Sequence, residues 1–96
     1  MDRKQIIQIL KKFKEENKDK YHIQDLGLFG SVAKDCIKES SDIDIVVNLA
    51  KQDFFELIGI KQDLEEILHY PIDVVSYRES MNSFLKRRID DEAFYV

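Results

Sequence analysis

Apolar positions along the chain fall into helical stripes and short β-like runs. Ile6, Ile7, Leu10 and Phe13 recur at helical spacing among lysines and glutamates, which predicts a first amphipathic helix ending near "ENKDK". "IQDLGLFGS" reads as a short strand running into a Gly-Ser turn. After "VAKDCIKESS", the stretch "DIDIVVNL" alternates and is β-branched, a second strand. "QDFFELIGIKQDLEEILHY" repeats apolar residues at Phe54, Leu57, Ile58, Leu64, Ile67 and Leu68, a second helix. Phe54 and Phe55 are assigned to its core side, with one of them available to a partner. Gly59 weakens that helix by about 1 kcal/mol relative to alanine. Pro71 closes it, and "PIDVVSY" follows as a third strand with proline at its first position. "SMNSFLKRRIDDEA" gives a third helix with Met81, Leu85, Arg88 and Ala93 on one face, and "FYV" is a final short strand or a frayed end. This order predicts an α/β (α+β) fold, a small mixed sheet backed by helices, in which residues 1–96 form one domain.

Side-chain alternation along a strand puts Asp42, Asp44, Val46 and Asn48 on one face and Ile43, Ile45, Val47 and Leu49 on the other. In the third strand the same rule separates Ile72 and Val74 from Asp73, Val75 and Tyr77. If both apolar sets share one side of the sheet, Asp73 emerges beside Asp42 and Asp44. Two unit charges about 4 Å apart repel by roughly 4 kcal/mol at an effective dielectric near 20, so three converging carboxylates call for protons or counter-cations. Hard divalent cations with oxygen ligands suit such a set, magnesium first where phosphates share the site. A D-x-D pair alone also occurs on solvent faces of strands. The turn upstream adds weight, because backbone N–H groups at Gly30 and the Ser31 hydroxyl can cradle phosphate oxygens.

Composition narrows the class. The 96 residues are 44% hydrophobic and 35% charged, as in a globular protein. No apolar run approaches the roughly 20 residues of a membrane helix, which predicts a cytoplasmic chain. A net charge of −4 argues against generic phosphate-backbone binding, so no direct nucleic-acid partner is expected. Cys36 is the only cysteine and forms no internal disulfide. His22 and His69 lack metal-ligand spacing and read as surface or capping residues. Tyr77 falls on the acidic face and reads as a packed edge aromatic.

Gly30-Ser31, ten intervening residues, then Asp42-Ile43-Asp44, followed by "IDVVS" with Asp73, resembles the signature of minimal nucleotidyltransferases of the DNA polymerase β superfamily. The likeness is greatest to the MntA-type antitoxins of HEPN/MNT toxin–antitoxin pairs. It implies a palm-like nucleotidyltransferase fold in which Gly30, Ser31 and Lys34 bind the triphosphate of ATP and Asp42, Asp44 and Asp73 bind two magnesium ions. Asp73 would also help activate the attacking hydroxyl. The implied reaction is transfer of AMP from ATP to a tyrosine hydroxyl of a HEPN ribonuclease toxin. Family members often read GSRARG where this chain reads "GSVAKD". Lys34 keeps a charge but not the guanidinium fork, and Asp35 adds an acid. Two other readings stand beside this one: an antitoxin that neutralises its toxin by contact alone, and a small-molecule nucleotidyltransferase. Homodimer and hetero-oligomer are both left open.

Overall fold

A capped helix begins the computed structural model, which describes residues 2–30, 42–51 and 53–96. Helix α1 (Arg3–Tyr21) starts at Asp2, whose carboxylate accepts from the Gln5 N–H at 2.9 Å while the Gln5 side chain accepts from the Asp2 N–H at 2.9 Å. This reciprocal capping box satisfies two N–H groups that the helix cannot. Helix α1 runs past "ENKDK" and stops at His22, which is left-handed (φ 56°) and donates its backbone N–H to Lys18. Helix α2 (Phe54–Leu68) starts on the Asp53 side chain and stops at left-handed His69 (φ 58°). Both histidines are therefore helix caps, as the sequence suggested.

Strands β1 (Ile23–Phe29), β2 (Ile43–Leu49), β3 (Ile72–Ser76) and β4 (Phe94–Tyr95) form one sheet in the order β3-β2-β1-β4. Strand β1 is antiparallel to β2 and β4, whereas β2 and β3 are parallel and joined across α2, as a parallel pair requires. Helix α3 (Ser83–Glu92) starts on Asn82, whose side chain accepts from the Phe84 and Leu85 N–H groups.

The sheet is covered on both faces. Ile43, Ile45, Val47 and Leu49 pack with Leu26, Leu28 and Ile72 against Ile6, Leu10 and Phe13 of α1 and Ile60, Leu64 and Leu68 of α2. On the opposite face Phe29 and Val46 bury Ile89 of α3, with Val75, Tyr77, Met81, Leu85 and Ala93 around them. The face that carries the acidic residues of β2 thus has a helix of its own.

Two faces differ from the sequence expectation. Phe54 and Phe55 are 71% and 82% exposed, and Ile58 and Ile67 are also exposed. The buried line of α2 is Ile60, Leu64 and Leu68, four residues apart. The first two turns of α2 are apolar nearly all round, so periodicity alone could not choose between the lines. On α3 the anchor is Ile89, fully buried midway between Leu85 and Ala93, whereas Arg88 lies to one side with 44% of its side chain exposed.

Gly59 is a packing device rather than a flaw in α2. A Cβ there would stand 2.9 Å from Tyr21 Cε1 and 3.0 Å from its hydroxyl. Tyr21 cannot easily retreat, because it is buried and its hydroxyl donates to Asp63 at 2.5 Å. Burial, and then that hydrogen bond, push the phenol up to about 12. Gly59→Ala gains about 1 kcal/mol of helix propensity but overpacks a filled contact, which costs about 1–3 kcal/mol. A melting curve should show Tm falling by about 4–8 °C for each kcal/mol of net loss. A rise in Tm would show that the Tyr21 contact is slack.

Candidate active site

Three strand ends meet at one edge of the α3 face. Strand β1 runs toward that edge and finishes at Phe29, which lies opposite Asp44 of β2. Strands β2 and β3 both start there, in a register that pairs Ile43 with Ile72, Asp44 with Asp73 and Ile45 with Val74. In a parallel pair, partnered residues point to the same side. Ile43, Ile72 and Val74 pack on the α1–α2 side, so Asp44 and Asp73 project side by side from the other. Asp42 stands immediately before β2 and shares their parity. Asp73 therefore emerges on the face that strand alternation predicts for it.

Gly30 is folded directly onto Asp44. Its φ is 78°, and a Cβ at this position would collide with the Asp44 carboxylate at Oδ2. Only glycine lets the chain leave β1 in a left-handed turn while the backbone lies against a carboxylate. Ser31 and Lys34, the other expected phosphate ligands, lie outside the described residues, as do Val32, Asp35 and Cys36.

The neighbouring acids raise the cost of ionising Asp44. Asp44 is half-buried while Asp42 and Asp73 are exposed. Loss of solvent holds the Asp44 carboxyl above its ordinary range, and the charges of Asp73, Asp42 and Glu92 push it further the same way. Arg88 is the one opposing cation among the described residues that act on Asp44. It comes from α3, with its guanidinium carbon 5.9 Å from the Phe29 ring centre and Nη2 3.8 Å from Glu92 Oε2. Tyr77, by contrast, packs beside Val46 and Ile89, with its hydroxyl donating to Asp90 at 2.9 Å.

A divalent cation fits this chemistry. The donors are all carboxylate oxygens, which suit hard ions, and among the described residues only Arg88 opposes the charge that Asp44 shares with its acidic neighbours. Among the described residues no three His, Cys, Asp or Glu side chains stand close enough to enclose an ion as placed. Asp42 and Asp73 are exposed, however, so their side chains can rotate toward Asp44 without disturbing the core.

Sequence reasoning missed the contribution of α3. Arg88 and Glu92 are an i,i+4 pair on the turn that carries Ile89, a spacing common on any solvated helix surface, so the sequence held no signal that α3 lies on the acidic face. No described helix is long and apolar enough to cross a membrane.

Strand ends bearing acids beside a glycine turn, on a mixed sheet with helices on both faces, define a palm-like nucleotidyl-transfer architecture. The chain belongs to the polymerase beta nucleotidyltransferase family, whose pattern it matches over residues 4–94. It is 35% identical over 95 residues to a Methanocaldococcus jannaschii protein provisionally assigned as a protein adenylyltransferase, covering 96% of this chain and 95% of that one. It is 29% identical over 93 residues to the protein adenylyltransferase MntA of Thermococcus cleftensis, covering 96% and 93%. Its fold also resembles a chain in the crystal structure of a toxin–antitoxin with AMP-PNP, with a TM-score of 0.75 and 26% identity over 99% of this chain and 72% of that one.

Proposed function

We propose that this nucleotidyltransferase moves AMP from ATP onto a tyrosine hydroxyl of a HEPN ribonuclease toxin and thereby acts as its antitoxin. The observation that carries the reading is the pairing of Asp44 with Asp73 on one face, with Gly30 folded against Asp44. Asp42, Asp44 and Asp73 are the residues that would hold two magnesium ions. Bound there, the ions would neutralise triphosphate charge and polarise the α-phosphoryl group. Gly30, Ser31 and Lys34 orient the β- and γ-phosphates. The tyrosine oxygen forms a bond to the α-phosphorus as the bond to the β-phosphate bridging oxygen breaks. Pyrophosphate leaves with that electron pair, and Asp73 accepts the phenolic proton.

Residues 1–96 form one domain in this reading, and its acceptor is a macromolecule that brings its own surface. A folded toxin does so. In this reading the reaction takes place in the cytoplasm. Incubation with the HEPN protein encoded beside this chain, ATP and Mg²⁺ should add one or more AMP masses to the toxin. Asp42→Asn should abolish the adduct. Toxin inhibition that persists without any adduct would instead establish neutralisation by contact.

A further inference from the structure

The acidic site needs a group that can bind a polyanion, and the sequence between Gly30 and Asp42 supplies Lys34 and Lys38 but no arginine. Helix α3 supplies one. Ile89 is buried against Phe29 and Val46, which fixes the rotation of α3 over the acidic face and brings the preceding residue, Arg88, to the end where Phe29 meets Asp44. There the guanidinium lies over the Phe29 ring at 5.9 Å. Phe29 immediately precedes Gly30, so Arg88 sits beside the turn as well as the acids.

We propose that Arg88 is a triphosphate ligand of this site, held by the Phe29 ring and Glu92 and able to place its guanidinium fork on phosphate oxygens. The inference rests on the nucleotidyl-transfer reading above. Its contacts suit the role. The 3.8 Å approach to Glu92 is an ion pair too long for a strong hydrogen bond, and 44% of the side chain is exposed. Arg88 makes no shorter polar contact among the described residues, so its fork retains donors for a ligand. Phosphate matches that planar fork at two oxygens, which a lysine cannot do. The aromatic face below it orients the plane without occupying any N–H.

The test measures binding of ATP, and separately of inorganic tripolyphosphate, to wild type, Arg88→Gln and Arg88→Lys at saturating Mg²⁺. Loss of a bidentate charged contact should weaken both ligands about 10–100-fold in Arg88→Gln, with Arg88→Lys intermediate. Melting curves should stay close to wild type, because the side chain is half exposed. Under turnover, KM for ATP should rise more than kcat falls. ATP weakened while tripolyphosphate binds normally would overturn the proposal. So would wild-type affinity for both, which would leave Arg88 as a mere counter-charge to the acids. Asp44→Asn transferring AMP normally would instead remove the parent reading, whatever Arg88 does.

Discussion

Asp44→Asn is expected to lower AMP transfer by at least about 10³-fold, since charge stabilisation through a bound ion is worth several kcal/mol and each 1.36 kcal/mol is tenfold in rate. The same substitution should raise thermal stability when metal is chelated. Asp44 is half-buried beside Asp73, so asparagine keeps the shape and removes the charge that burial opposes. The pH dependence gives the sign. The Asp44 carboxyl in the folded state lies above the ordinary value of 3.8. At pH values just above 3.8 the folded chain holds more protons here than the unfolded chain, so stability falls as pH rises through that window. Asparagine lacks this penalty. Melting curves in EDTA should therefore show Asp44→Asn above wild type at pH 7, with the gap closing in acid. Adding Mg²⁺ should raise the Tm of wild type and not of the variant, because only a ligand bound to the native state stabilises it. A variant less stable than wild type at pH 7 without metal would contradict the electrostatic account.

Gly30→Ala should damage both stability and activity. An L-residue in the left-handed region costs about 1–2 kcal/mol, and φ here is 78°. The new methyl would also meet Asp44 Oδ2, so the carboxylate must rotate away from its place beside Asp73. A misplacement near 1 Å costs about 100-fold in rate. Tm should fall by about 4–8 °C for each kcal/mol lost. A double-mutant cycle separates the causes: in an Asp44→Ala background the collision disappears and only the backbone term remains. Gly30→Ala should thus be less destabilising there. Equal losses in both backgrounds would assign everything to backbone strain.

Strand parity in "DIDIVV" and "IDVVS" was enough to bring Asp44 and Asp73 to one face, because alternation is a local rule and the opposite faces carry Ile43, Ile45 and Val47 in one strand and Ile72 and Val74 in the other. Helix rotation was harder to read. Phe54, Phe55 and Ile58 crowd the start of α2, and only the shape of the sheet decides that Ile60, Leu64 and Leu68 turn inward. Ile89 was overlooked for a related reason: it stands between charged residues in "KRRIDDE", and its burial depends on Phe29 and Val46, which are remote in sequence. Arg88 followed the same fate. Its place at the site depends on a tertiary contact that no local pattern encodes.

The apolar side of β2 explains why the carboxylates cannot relax apart. Ile43, Ile45, Val47 and Leu49 are each at most 3% exposed. Sliding the strand by one residue would relieve Asp44 of Asp73 but invert every side chain, driving acids into the core and isoleucines into water. Repulsion between acids is thus opposed by the interlocking of hydrocarbon on the reverse of the same ribbon. The strand register that sets Asp44 beside Asp73 is therefore fixed when the chain folds, and a ligand arriving there would have only the swing of exposed side chains left to draw in.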